Sequence, residues 1–118
     1  MTRAFKVLTF QAATLATAGL MLTTVAAVTR AAPAPPAAAV SIDNFTFKNP
    51  VVTVKPGTTV TWTNGDDIPH TVVSKNGVFK SKVLDSGDKF SFTFAKPGQF
   101  GYFCSLHPHM TGTIIVKA

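Results

Sequence analysis

A chain of 118 residues has room for one domain, and its single cysteine excludes an internal disulfide. The formal charge of +6 overstates its basicity: Arg3, Lys6 and Arg30 lie at the N-terminus, and beyond them eight Lys against five Asp leave +3. With no Arg and no Glu after residue 30, and with the Lys scattered, the composition argues against nucleic-acid binding and for a solvated Lys surface.

The first predicted element is a leader. Arg3 and Lys6 precede an uncharged run from Val7 to Val28, the layout of an export signal. The run also approaches the length of a membrane span, so residues 1–32 read as a signal peptide or an N-terminal anchor. The Ala/Pro stretch that follows reads as a linker or cleavage region over 33–39, expected to form no packed element. Ala37 and Ala39 suit a cut before Val40, and Ala32 with Ala34 offers a second position. The chain is thus expected to be periplasmic, and to meet a membrane only if the leader is retained.

From residue 40 onward the apolar period is two. "SIDNFTFK" sets Ile42 with Phe45 and Phe47, and "TTVTWTN" puts Val60 and Trp62 on one face with Thr59, Thr61 and Thr63 on the other. "KFSFTFA" aligns Phe90, Phe92 and Phe94, and "GTIIVK" ends the chain on a β-branched run. Such alternation predicts half-buried strands. Turn chemistry separates them at "NP", "KPG", "NGDD", "KNG", "DSGD" and a second "KPG". Seven or eight short strands without a helical segment predict an all-β, antiparallel sandwich over 40–118. A core of about 80 residues is marginal, which leaves room for a metal as a staple.

The densest chemistry is "FCSLHPHM", residues 103–110. It holds the only cysteine, two of the three histidines and a methionine. Cys104, His107 and Met110 are spaced Cys-x-x-His-x-x-Met, a tight arch stiffened by Pro108. The third histidine, His70, follows Pro69 on a loop 34 residues earlier. Sandwich loops of that separation meet at one end of the fold. Two imidazoles, a thiolate and a thioether are the donor set of a mononuclear blue copper site. Zinc would use Cys and His but has little need of the thioether. Taken singly, each residue has an ordinary reading: loop histidine, core methionine, buried thiol. Their joint spacing carries the metal assignment. His109 is expected to face solvent. A Cys–His nucleophile would need a cleft and an orienting Asn or Asp, for which so small a domain has little room, so no enzymatic role is expected.

"PHTVVS" with "FGYFCSLHPHMTGTIIV" resembles the cupredoxins, the blue copper family that includes plastocyanin, pseudoazurin and amicyanin. The resemblance spans 40–118, and the two-residue gaps on both sides of His107 are similar to the short amicyanin loop. It implies a Greek-key sandwich, His70, Cys104, His107 and Met110 as ligands of one type 1 copper, and a monomeric carrier of single electrons. The implied partners are redox proteins such as a c-type cytochrome or a periplasmic dehydrogenase or reductase. Two positions depart from the pattern. His109 stands where amicyanin has an aromatic, so amicyanin's own partner pair does not carry over. Thr71 stands where the family often has Asn, which should alter the bracing between loops; Asn64 is a candidate substitute brace. The rival reading is a periplasmic copper-binding protein for delivery or protection, although a single Met beyond the leader is sparse for that task.

Overall fold

The computed structural model describes residues 19, 21, 23–29, 31 and 34–118, so the leader expected over 1–32 lies largely outside the described residues. Among the described residues no helix is long and apolar enough to cross a membrane. Eight strands follow one another: β1 (Ala37–Asp43), β2 (Thr46–Phe47), β3 (Val51–Val54), β4 (Thr58–Asn64), β5 (Val73–Ser74), β6 (Lys89–Phe94), β7 (Gly98–Phe103) and β8 (Thr111–Val116). They form two four-stranded sheets, ordered β2-β1-β4-β6 and β3-β8-β7-β5.

The expected sandwich is present, with two corrections of detail. Both sheets are mixed, because β1 runs parallel to β4 and β3 parallel to β8. Alternation in a sequence reports which face of a strand is buried, and it carries no information on the direction of the neighbour. The second correction concerns the Ala/Pro stretch. Ala37–Ala39 is not linker but the start of β1, in register with Thr59–Thr61 of β4. A ladder is made by backbone groups, so small side chains suffice once Pro35 and Pro36, which cannot donate, are past.

Strand β4 is the clearest case of pattern becoming packing. Thr58, Val60, Trp62 and Asn64 are buried, while Thr59, Thr61 and Thr63 are partly exposed. On the outer face, hydroxyl pairs bridge β4 to β6: Thr59 with Thr93 at 2.8 Å and Thr61 with Ser91 at 2.7 Å. On the inner face Trp62 meets Tyr102 of β7 edge-on at 5.3 Å and lies 5.7 Å from both Phe79 and Phe90. Phe94 is buried, but Phe90 and Phe92 are only partly so, because β6 is the last strand of its sheet.

The β1–β2 hairpin breaks a local rule. Asp43 pairs with Thr46, leaving Asn44 and Phe45 as a two-residue loop with φ of 51° and 54°. Positive φ at both central positions suits the strand twist and usually selects Asn-Gly. Phenylalanine there is an outlier, at a cost on the order of 1–3 kcal/mol. Phe45 consequently leaves the face shared by Ile42 and Phe47 and stands exposed.

Gly112 of β8 lies under the Tyr102 ring, where an added Cβ would fall 2.3 Å from Cζ. Tyr102 is fully buried and wedged between Trp62 and Phe47, so it has nowhere to retreat. Gly112→Ala is therefore expected to lower the unfolding free energy by about 1–3 kcal/mol, the usual cost of overpacking. Urea denaturation measures it, and an unchanged midpoint would mean that the ring moves freely.

Candidate metal centre

Three connections share the end of the sandwich where β1, β4 and β7 finish: the β1–β2 turn, the β4–β5 loop and the β7–β8 loop. Each is held by its own backbone bonds. In the β7–β8 loop, Cys104 N–H donates to Met110 O (3.0 Å), His107 N–H to Cys104 O (3.2 Å) and Met110 N–H to His107 O (2.9 Å). These nested turns close the Cys-x-x-His-x-x-Met arch. In the β4–β5 loop, His70 exchanges both backbone bonds with Leu84, at 3.0 and 2.7 Å. Asn64 stitches the same loop: its Nδ2 donates to Ile68 O and Leu84 O, both at 2.9 Å, and its Oδ1 accepts the Asp66 N–H.

The result brings His70, Cys104 and His107 together, with one donor atom of each within 4.8 Å of the others. Cys104 Sγ lies 3.7 Å from His70 Nδ1 and 3.6 Å from His107 Nδ1. Metal–sulfur and metal–nitrogen bonds of about 2.3 and 2.0–2.1 Å, opened by 110–120°, put their donor atoms about 3.6–3.8 Å apart. The observed separations have that length. His70 and Cys104 are fully buried, His107 is half-buried, and Met110 is 5% exposed and tied through its backbone to both Cys104 and His107. His109 is exposed.

The groups behind the donors fit the same purpose. His70 Nε2 lies 2.7 Å from Asp66 Oδ2, so the carboxylate takes its proton-bearing side and leaves the Nδ1 lone pair facing the thiol. Burial pushes the Asp66 carboxyl up, but the Phe45 N–H, the His70 ring and the Asn44 N–H outweigh it and hold the group below its ordinary value. Thr71 N–H points at Cys104 Sγ, 3.3 Å away. Soft sulfur with two oriented imidazoles and a nearby thioether fits copper.

Sequence reasoning expected the four candidate ligands at one end of the fold and pointed to Thr71 and Asn64 beside them, but missed Asp66 and Phe45. Thr71 is itself the brace between the loops: its Oγ1 accepts the Ser105 N–H at 2.8 Å and pairs with the Ser105 hydroxyl at 2.7 Å. Asn64 braces only the His70 loop. Asp66 carried one signal, its position four residues before a candidate ligand. Phe45 carried none, since the turn that brings its ring 5.6 Å from His70 lies 25 residues earlier in the chain.

The cupredoxin-like domain family matches residues 13–116. Amicyanin of Paracoccus versutus is 36% identical over 86 residues, a match spanning 69% of this chain and 65% of that protein. Amicyanin-alpha of Methylorubrum extorquens is 37% identical over 83 residues, spanning 66% and 70%. Among solved structures, a purple cupredoxin from Nitrosopumilus maritimus superposes with a TM-score of 0.64 at 34% identity, covering 68% of this chain and 99% of that one. With its two-sheet fold and its His, Cys and His donors brought to one end, the chain belongs to the cupredoxin-like family.

Proposed function

We propose that this protein is a type 1 copper electron carrier with His70, Cys104, His107 and Met110 as the ligands, working outside the cytoplasm between redox protein partners. The observation that supports this most is the 3.6–3.7 Å spacing of Cys104 Sγ from two Nδ1 atoms at the end of a rigid sandwich. Copper bound there would supply a one-electron couple. The residues do the rest. Two loops anchored to strands and cross-linked through Thr71 and Ser105 have little freedom to rearrange, which suits a group that must change charge without changing shape. The Thr71 N–H draws electron density from the sulfur. Burial of Cys104 and His70 keeps water from the donors, while half-buried His107 is the route for an electron to leave.

Next to His107 in the arch, Leu106 is 47% exposed and Pro108 is exposed as well. A small apolar patch of this kind suits brief encounters, with a c-type cytochrome or a periplasmic dehydrogenase or reductase as the partner. The exposed imidazole of His109 lies beside the port and gives the patch a polar edge that an aromatic would not. No substrate chemistry is assigned. The second reading, copper delivery or protection, would use the same donors but requires them to let the metal go, and the bonds that fix the loops argue for retention.

The leader is proposed to be removed on export. A cut before Val40 would strip Ala37–Ala39 from the β1–β4 ladder, whereas a cut after Ala32 or Ala34 leaves it whole. The earlier position is therefore favoured. Intact-mass analysis of the exported protein is expected to find an N-terminus at or before Ala37, and a start at Val40 would overturn that assignment.

Addition of Cu(II) to the purified domain is expected to give an intense thiolate-to-copper band. Mild reductant should bleach it, and oxidation should restore it. Cys104→Ser should abolish the band, whereas Met110→Leu should keep it and shift the potential. Weak absorption only, or thiol oxidation with Cu(I) passing readily to a chelator, would sink the carrier reading and favour copper handling.

A further inference from the structure

His70 and His107 are secured by different means. His70 has the Asp66 carboxylate on Nε2, the Leu84 backbone on both sides of its own peptide, and no exposure to solvent. His107 Nε2 has no hydrogen-bond partner among the described residues, and the ring is half-buried. Its orientation rests on packing. On one side is the His70 ring, centroid 5.0 Å away at 61°. Beside it is Phe45, centroid 5.0 Å from His107 and nearly perpendicular at 86°. Phe45 also meets His70 edge-on, at 5.6 Å and 89°. The three rings form a closed triangle, and Phe45 is the member on the solvent side, 48% exposed.

Phe45 holds this position in a left-handed backbone conformation that its side chain disfavours. Something must fix that conformation, and the structure shows what does. Asp66 Oδ1 accepts the Asn44 N–H at 2.5 Å, and Oδ2 accepts the Phe45 N–H at 2.9 Å. The same Oδ2 holds His70. One carboxylate therefore pins the hairpin tip and a candidate ligand together.

We propose that Phe45, clamped by Asp66, is a positioning residue for the metal centre, the lateral support that keeps the His107 imidazole turned toward Cys104. The role rests on the copper reading given above, and it extends to a turn that contributes no donor atom. A turn serving only the hairpin would carry glycine at this position. A phenylalanine held there against its preference, touching both imidazoles, has its use at the rings.

The test replaces Phe45 by residues that the backbone accepts more readily. Phe45→Gly and Phe45→Asn remove the ring at a position where Gly and Asn tolerate positive φ, so the hairpin is kept. Phe45→Tyr keeps the ring. In copper-loaded protein, transfer of the metal to a chelator is expected to quicken about tenfold in the Gly and Asn variants, the scale of losing an outer support, and to stay at the wild-type rate in the Tyr variant. In metal-free protein, the His107 side-chain NMR signals should broaden in the first two variants only, a loss of fixed orientation that deleting the Phe45 ring current does not by itself produce. Wild-type release rates and His107 signals as sharp as wild type in whichever of the two variants is folded would overturn the proposal. A wild-type protein that takes up no copper would refute the copper reading instead, and the metal-free spectra would still decide on the positioning of His107.

Discussion

One donor atom each of His70, Cys104 and His107 lies within 4.8 Å of the others, and only weak sulfur–imidazole hydrogen bonds of 3.6–3.7 Å join them directly. Bonds that weak do not fix three side chains by themselves, and the whole end of this sandwich adds to them. The arch from Cys104 to Met110 is closed by three backbone bonds, the His70 loop is bridged to Leu84, and Thr71 with Ser105 ties one loop to the other. The tightly packed rings around Trp62 give the strands that carry the loops a fixed separation. Preorganisation of this kind separates a site that keeps its metal through a change of charge from one that must reshape itself at each turnover of the ion.

How much of this was legible depended on which rule each residue obeys. Strand β4 could be read from Thr58 to Asn64 because burial on alternate sides is written directly in residue type. The four candidate ligands could be read because few functions want a thiol, an imidazole and a thioether at intervals of three. The parallel pairings could not be read, since neither Ala37–Asp43 nor Val51–Val54 carries a mark of its neighbour's direction. Ala37–Ala39 was read as linker because alanine beside proline looks like spacer, and only the exposed ladder edge of β4 turns it into strand. Phe45 was invisible, and Asp66 nearly so, for a further reason. Their contacts join residues 21 to 62 positions apart, and each residue obeys its neighbour's needs in place of a local preference.

Phe45 shows what such a violation means. Local preference and global fold agree nearly everywhere in this chain: prolines and glycines at turns, β-branched residues in strands, threonines on the outer face of β4. Where the two disagree, the disagreement sits beside the donor atoms. Strain of this kind persists only when the surroundings over-determine it, and here the two N–H groups of the turn both end on one carboxylate. The buried side chains point the same way. Trp62 Nε1 and the Tyr102 hydroxyl are buried with no hydrogen-bond partner among the described residues, and burial raises the Tyr102 pKa. The Trp62 indole works against that rise, so the two polar groups are neighbours inside the packed core.

The Asp66 carboxylate also joins parts of the chain that the strand order alone would leave independent. Strand β1 starts at Ala37, lies in register along β4 as far as Ile42, and delivers the Asn44–Phe45 turn to the site. Asp66 couples that turn to His70. The path from the first residues of the domain to a candidate ligand is thus one strand and one side chain long. The ladder to β4 and the buried Val40 and Ile42 fix β1 before it reaches the turn, so the turn leaves from a set position for Asp66 to clamp. For that reason the six ladder pairs between β1 and β4, far from the thiol in sequence, belong to the machinery of the site as much as the arch that carries it.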